Sequence, residues 1–190
     1  MLIVDDIQVG CGGTGRFFSF ERARITPGTV CLSKAIGGIG LPFAIVLIRP
    51  DLDCWNPGEH VGTFRGSNLA FAAGAAALDY WRTGEFEQVI EARALQMRRA
   101  LDHIVERHPA ELIGVRGIGM IQGLHCRSPR LARRILDCAF AGGMIMETSG
   151  APRHVLKLLP PLVIEEAELD EGMSILAAAV DEAISGTDRP

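Results

Sequence analysis

Short apolar runs separated by Gly and Pro characterise the beginning of the chain. The clearest are residues 2–4, 30–32 and 43–48, each bounded by turn-forming residues. Uninterrupted runs of this kind are typical of strands that a sheet buries on both faces. They predict a parallel or mixed sheet in an α/β protein, and residues 53–62 predict a loop after it.

Helical spacing dominates the middle of the chain. Asn68 predicts an N-cap for a helix to about Arg82, whose many alanines favour close packing against backbone in the core or, alternatively, at a subunit interface. Residues 86–108 predict a long amphipathic helix that ends before Pro109, with its arginines and histidines in solvent. Because a helix of this length commonly joins two domains, we predict domains 1–95 and 96–190.

The remainder predicts a small α/β unit. Residues 112–126 have an alternating pattern interrupted by four glycines, which indicates a strand pair or one bent strand. Ser128 and Pro129 begin a helix. Residues 144–146 and 155–159 predict strands, and acidic residues at 165–168 favour the dipole at the start of the last helix.

Composition narrows the classes of function. Apolar residues make up 48% of the 190 residues, the net charge is −4, and no basic block is present. These values favour a globular protein and argue against a nucleic-acid surface. The sequence has no apolar segment long enough to indicate a membrane span or a secretory signal. Its five cysteines contain no C-x-x-C pair, which favours reduced thiols in the cytoplasm. The abrupt strand at residues 1–4 suggests a truncated or mis-started reading frame, or else a small protein with an N-terminal edge strand.

Polar residues that could carry chemistry follow two of the predicted strands. Asp5 and Gln8 come after the first strand, and Lys34 follows the second. Open α/β sheets place ligands at such strand ends. A lysine there could form a Schiff base with an aldehyde cofactor, and an acid could hold a protonated pyridine nitrogen. The alternatives are a surface lysine, a strand-end carboxylate and a polar turn residue.

A glycine pattern follows the first strand. Gly10, Gly12 and Gly15 form G-x-G-x-x-G, which in some proteins binds a dinucleotide. That function requires a helix N-terminus next to the phosphates. Residues 16–20 do not predict a helix, so the sequence argues against a nicotinamide site. The five histidines show no metal-ligand spacing with Cys or acids.

Three segments resemble the class III pyridoxal-phosphate aminotransferases. They are LIVDDIQVGCGGTGRFFSFE, VCLSKAIGGIGLP and GEHVGTFRGSNLAF. The resemblance implies the C-terminal part of a type I pyridoxal-phosphate transferase fold, with a partial large-domain sheet and a small C-terminal domain. It extends over nearly the whole chain but over only about half of a complete family member.

The resemblance also implies roles for particular residues. Lys34 would bind pyridoxal 5′-phosphate covalently and move the substrate proton, Asp5 would pair with the ring nitrogen, and Gln8 would contact the ring's phenolic oxygen. Thr63 would bind the phosphate from the neighbouring subunit of a homodimer or larger homo-oligomer. Gly13 departs from the family, whose members usually have Arg there.

Lys157 occupies the position of the arginine that binds the substrate carboxylate in most family members. The branch that makes ectoine is expected to have this lysine, and residues 147–150 resemble the same branch. The alternative is an outward-pointing lysine on an edge strand. The implied reaction transfers the terminal amino group of L-2,4-diaminobutyrate to 2-oxoglutarate, with aspartate semialdehyde and glutamate as the other pair.

Three interpretations remain open. The first is an aminotransferase that is either broken or completed by a separate N-terminal chain. The family's phosphate-binding Gly-Ser or Gly-Thr loop and its ring-stacking aromatic residue precede the matched region, so we expect the isolated chain to be inactive or nearly so. The chain could instead be a non-catalytic dimerisation module. It could also belong to an enzyme for ornithine, 4-aminobutyrate or a siderophore-pathway diamine.

Overall fold

The chain forms two compact units. The computed structural model describes residues 1–38 and 40–186, and its units are Met1–Gln88 and Val89–Pro190. The dividing point lies within one long helix. The domain boundary after residue 95 stays a prediction.

The first unit contains a mixed three-stranded sheet. Strand β1 is Ile3–Asp5, β2 is Thr29–Leu32 and β3 is Ile45–Ile48. β2 lies in the middle, parallel to β1 and antiparallel to β3. The predicted strands and the mixed sheet are therefore confirmed.

Only one face of this sheet is covered within the described residues. A buried cluster of Cys11, Val30, Leu32 and Ile36 packs against partly buried Phe17, Phe18, Phe20, Phe43 and Ile45. On the opposite face Ile3 remains 56% exposed and Val46 55% exposed. The expectation of strands buried on both faces is wrong here, because the aromatic segment after the glycine turn supplies a layer on one side only.

Helix α1 packs closely against the turn that follows β2. It spans Asn68–Leu78 and continues as a 3₁₀ turn at Asp79–Trp81. A Cβ added at Gly74 would lie 2.9 Å from the carbonyl oxygen of Ile36, so the two backbones are in direct contact. The predicted close packing against backbone is confirmed at Gly74, but the expected burial in the core is wrong for most of the helix, since only Ala70 and Gly74 are buried. The predicted cap is also wrong. The N-cap is Ser67, whose side chain makes no capping hydrogen bond.

The described part of the second unit contains an antiparallel four-stranded sheet and three helices. Helix α2, Glu85–Arg107, begins before this unit and continues into it, with Ile90, Met97, Leu101 and Ile104 buried. The sheet order is β4-β5-β7-β6. Its strands and the remaining helices are β4 Leu112–Ile118, β5 Ile121–Cys126, α3 Pro129–Ala141, β6 Glu147–Ser149, β7 Val155–Leu158 and α4 Glu166–Ser185.

Most of these elements match their predictions, and one strand does not. The side-chain oxygen of Ser128 accepts a hydrogen bond from the backbone of Leu131, which confirms the cap of α3. The predicted strand at residues 144–146 lies instead at Glu147–Ser149. The Met144 N–H donates to the Ala139 carbonyl at 2.8 Å, so this segment still closes the end of α3.

Helices α2 and α4 are joined by polar contacts that the pattern did not predict. Arg93 pairs with Glu166 at 3.2 Å, although we expected Arg93 in solvent. Arg107 and His108 both contact the Asp181 carboxylate. The hydrogen bond from Arg107, followed by that from His108, holds the pKa of Asp181 below its ordinary value. The expectation that His108 is solvated is therefore wrong.

A membrane span is not among the described helices. None of those within residues 1–38 and 40–186 combines the length and apolar character that crossing a bilayer requires.

Candidate active site

Two adjacent carboxylates at the end of β1 have opposite environments. Asp5 is exposed, whereas Asp6 is only 1% exposed. Successive side chains of a strand point to opposite faces of the sheet. Asp6 consequently points towards the covered face and Asp5 towards the open face, where a ligand can approach it.

Asp6 holds the glycine turn and the aromatic segment in place. Its carboxylate accepts hydrogen bonds from the Ser19 hydroxyl and from the Ser19 backbone N–H, the latter at 3.0 Å. Its carbonyl accepts from Gly10 N–H at 2.9 Å, and a Cβ at Gly10 would lie 2.7 Å from that oxygen. This close approach explains the first glycine of G-x-G-x-x-G without a nucleotide.

We expect the two carboxylates to respond differently to truncation. Asp6→Ala leaves the Ser19 donors without a partner, so the free energy of unfolding should fall by about 1–3 kcal/mol. Asp5→Ala removes one exposed hydrogen bond, which the carboxylate accepts from the Ile7 N–H at 3.1 Å, and should lower it by only about 0.5 kcal/mol. Urea unfolding followed by the fluorescence of Trp55 and Trp81, both in the first unit, measures this difference. Equal losses from the two variants would contradict the assignment.

Lys34 begins the turn after β2 in an unusual backbone conformation. It is the first residue of a 3₁₀ helix, Lys34–Gly37, and has φ +52°. The preceding Ser33 hydroxyl donates to the Phe43 carbonyl at 2.9 Å, which ties the turn to the segment before β3. A non-glycine residue in the left-handed region marks a constrained position, and such positions cluster at functional sites. The Lys34 side chain is exposed.

Asp5 and Lys34 lie at the ends of neighbouring parallel strands. Asp5 is aligned with Cys31 in the register of β1 and β2, and Lys34 follows Cys31 by three residues. Three residues span at most about 11 Å and neighbouring strands lie about 4.8 Å apart, so the two Cα atoms are at most about 16 Å apart. A lysine side chain, one aromatic ring and an aspartate side chain together can span such a distance.

The other two predicted residues of this unit lie in irregular segments. Gln8 is exposed in the turn directly after β1. Thr63 is exposed in the loop before α1. In the same loop Arg65 donates to the His60 carbonyl at 2.7 Å and to the Gly62 carbonyl at 3.4 Å, so its guanidinium closes the loop.

Lys157 belongs to the second unit and lies on β7, between β5 and β6. The edge-strand alternative for Lys157 is therefore wrong. Its Nζ lies 2.6 Å from Oε1 of Glu147, its cross-strand partner on β6. Sequence reasoning singled out Glu147 only through its resemblance to one branch of the family, and did not predict this ion pair.

A row of hydrogen-bonded side chains, Arg116, His125 and His154, was also not predicted. Nε of Arg116 donates to Nδ1 of His125 at 3.0 Å, and Nε2 of His125 lies 3.1 Å from Nε2 of His154. Burial first, then Arg116 and His154, lower the pKa of His125. Within the described ranges no three His, Cys, Asp or Glu side chains form a group suited to a metal ion.

The glycine turn has no helix that could receive a dinucleotide. Residues 7–18 are turns and bends, and the 3₁₀ helix Ser19–Ala23 that follows is five residues long. The prediction that residues 16–20 do not form an α-helix is confirmed by this geometry. What remains is an acid and a lysine at neighbouring strand ends, together with a second unit that contains a lysine–glutamate pair.

The chain belongs to the class III aminotransferase family. The model of the family described as "Aminotransferase class-III" matches residues 1–180. The resemblance that three sequence segments suggested is thereby confirmed.

Among its relatives, diaminobutyrate–2-oxoglutarate transaminases are prominent. That of Oceanobacillus iheyensis is 49% identical over 184 residues, covering 97% of this chain and 43% of the relative. That of Bordetella parapertussis is 48% identical over 187 residues, with the same coverage. The chain therefore spans less than half the length of these relatives.

Solved aminotransferases share the fold. N-acetylornithine aminotransferase from Stenotrophomonas maltophilia has a TM-score of 0.84 at 29% identity, covering 98% of this chain and 48% of that one. Ornithine aminotransferase from Toxoplasma gondii has a TM-score of 0.87 at 24% identity, covering 100% of this chain and 44% of that one. The latter was crystallised with partial occupancy of pyridoxal phosphate at its active site. The predicted α/β fold, as part of an aminotransferase, is confirmed.

Proposed function

We propose that this chain is the C-terminal part of a pyridoxal-phosphate aminotransferase for L-2,4-diaminobutyrate and 2-oxoglutarate. The single observation that carries the proposal is the placement of Asp5 and Lys34 at neighbouring strand ends in a chain almost half identical to such transaminases. Aspartate semialdehyde and glutamate would be the other substrate pair. The L-2,4-diaminobutyrate formed from them would serve ectoine biosynthesis in the cytoplasm.

The residues present fit pyridoxal phosphate. Asp5 offers an exposed carboxylate and Lys34 an exposed amine on one end of the sheet, and the exposed amide of Gln8 follows β1 directly. When bound, the cofactor supplies a ring that withdraws electrons from the substrate carbon. Asp5 would keep the proton on the ring nitrogen, and Gln8 would bind the phenolic oxygen.

Proton transfer would fall to Lys34. Its Nζ must be neutral to accept the proton from the substrate carbon, and burial or a nearby cation favours the neutral form. No described residue of this chain buries the Lys34 side chain, which is exposed. We therefore infer that another polypeptide segment or subunit completes this environment.

Binding of the substrate and of the phosphate would fall to two other residues. Lys157 would bind a substrate carboxylate as a point charge, without the bidentate geometry of arginine. Thr63 would bind the cofactor phosphate of the neighbouring subunit in a homodimer or larger homo-oligomer, as the family resemblance implies. Its exposed position before α1 leaves the hydroxyl accessible to such a partner.

Complementation tests the proposal. The chain is produced alone, and also together with the part of the Oceanobacillus iheyensis relative that it does not match. Glutamate formation is then measured with 2-oxoglutarate and L-2,4-diaminobutyrate, ornithine or 4-aminobutyrate. We expect almost no turnover by the chain alone and turnover by the pair, fastest with L-2,4-diaminobutyrate.

Each other outcome has a defined meaning. Turnover by the chain alone would contradict the need for completion. Faster reaction with ornithine or 4-aminobutyrate would assign a different amino donor within the family. Co-purification of the two chains without any turnover would support a dimerisation module and overturn the catalytic proposal.

A further inference from the structure

The ion pair between β6 and β7 is one end of a row that crosses the whole second sheet. The register aligns Arg116 with Gly123, Gly123 with Lys157, and Lys157 with Glu147. Aligned residues share a face of the sheet. Lys157 is therefore flanked by a residue without a side chain on one side and by a carboxylate on the other.

The two charges are unequally covered. The Lys157 side chain is 18% exposed and that of Glu147 67% exposed, with 2.6 Å between Nζ and Oε1. The lysine is held at the base of this pair, and the carboxylate remains accessible to solvent. A ligand can consequently approach Glu147 from the solvent.

A cavity of about 470 Å³ has both Glu147 and Lys157 among its lining residues. Its walls are mainly apolar, and a second carboxylate, Glu168, lies on the α4 side. The apolar part of the lining is formed chiefly by Met146, Leu158, Leu159, Pro160, Ile164 and Met173. This volume lies within the range of small-molecule sites, which combine apolar walls with a few polar groups.

A purely structural ion pair would account for less of this arrangement. A cross-strand pair contributes about 0.2–1 kcal/mol wherever it lies on a sheet. It does not require a concave surface, and it does not require the cation to be covered while the anion stays open. The cavity and the unequal exposure point to a ligand with complementary charges.

We propose that Glu147 determines substrate specificity by binding the α-ammonium group of an amino-acid end, while Lys157 binds the neighbouring α-carboxylate. This inference rests on the function proposed above. An α-amino acid carries an ammonium group and a carboxylate group on the same carbon atom. It can therefore replace the Lys157–Glu147 contact by one contact between its ammonium group and Glu147 and another between its carboxylate and Lys157. Each charge then keeps a partner when the ligand binds, which limits the desolvation cost.

The arrangement distinguishes the two substrates of the reaction. L-2,4-diaminobutyrate and aspartate semialdehyde present an α-ammonium and an α-carboxylate at the end opposite the reacting group. 2-Oxoglutarate has no ammonium group and presents only a carboxylate there. Lys157 can bind either end, whereas Glu147 favours the first and repels the second.

Equilibrium binding to the 190-residue chain tests the site without catalysis. The probes are L-2-aminobutyrate, a neutral zwitterion, and butyrate, its counterpart without the ammonium group. NMR titration gives the dissociation constant of each probe and the residues whose signals shift. For the unmodified chain we expect tighter binding of L-2-aminobutyrate, with shifts centred on residues 146–147 and 157–159.

Two glutamate variants separate specific contact from general charge. Glu147→Gln should lower the preference for L-2-aminobutyrate over butyrate by about tenfold, the loss of roughly one charged hydrogen bond. Glu168→Gln removes the same charge from the same cavity and should leave the preference unchanged. Its side chain can still accept from the Glu165 backbone N–H, as it does now at 3.0 Å. Absence of any preference in the unmodified chain, or equal effects of the two variants, would overturn the proposal.

The same variants in the complemented pair of chains distinguish this inference from the proposed function. Glu147→Gln should raise KM for L-2,4-diaminobutyrate about tenfold and leave or lower KM for 2-oxoglutarate. An equal effect on both constants would reject the role of Glu147 while the aminotransferase proposal stands. Retained probe binding with no turnover in any pair would reject the catalytic proposal and leave an amino-acid site.

Discussion

Lys34→Ala should abolish covalent capture of pyridoxal phosphate and lower the rate of amino transfer by about 10³-fold or more. In the proposed function one amine would both attach to the cofactor and carry the substrate proton, so its removal would eliminate two functions at once. The chain complemented as described above, incubated with pyridoxal phosphate and reduced with borohydride, is digested and the labelled peptide identified by mass spectrometry.

The composition of the chain makes this experiment unusually clear. Lys34 and Lys157 are its only lysines. Lys157→Ala should therefore retain the label and lose substrate affinity instead. Lys34→Arg keeps the positive charge but cannot provide a neutral amine, so it should behave like Lys34→Ala. A label that persists on this chain after Lys34→Ala would reject Lys34 as the attachment site.

Gly123→Ala should destabilise the second unit by about 3 kcal/mol, at the upper end of the cost of overpacking. A Cβ at Gly123 would lie 2.3 Å from the Leu156 carbonyl oxygen and 3.0 Å from the Val155 side chain. Backbone cannot move aside as a flexible side chain can, so β5 and β7 would have to separate. Such separation would also disturb the neighbouring Lys157.

Far-UV circular dichroism measures this effect through helices α2 to α4, because both tryptophans, Trp55 and Trp81, report on the first unit. Gly172→Ala is the matched control in α4, since a Cβ there has no neighbour within 4 Å. Replacing a helical glycine by alanine stabilises by about 0.5–1 kcal/mol. The steric argument is refuted if the two alanine variants unfold at the same urea concentration.

Local patterns predicted elements whose causes are themselves local. The Ser128 cap and the apolar spacing of α2 depend on residues within a few turns of one another, and both were confirmed. The strand at residues 144–146 was misplaced because its apolar character indicated a strand. Its backbone is instead engaged by the C-terminus of α3, and the charged Glu147 begins β6 opposite Lys157.

Contacts between residues far apart in sequence could not be predicted. His108 and Asp181 are separated by 73 residues, and neither carries a local signal of the other. The same holds for Asp6 and Ser19, which are 13 residues apart. The strand-end positions of Asp5 and Lys34 were predicted, because strand, turn and residue type are all visible in sequence. Their roles, and those of Gln8, Thr63 and Lys157, stay predictions.

The uncovered face and edge of the sheet in the first unit should affect the solubility of the polypeptide in a cell. Ile3 and Val46 leave an apolar surface on the open face of the sheet, and the outer edge of β1 has no neighbouring strand within the described residues. Bare edges of this kind recruit other chains and lead to aggregates. When it is synthesised without a partner that covers this surface, the polypeptide should bind chaperones and accumulate in inclusion bodies.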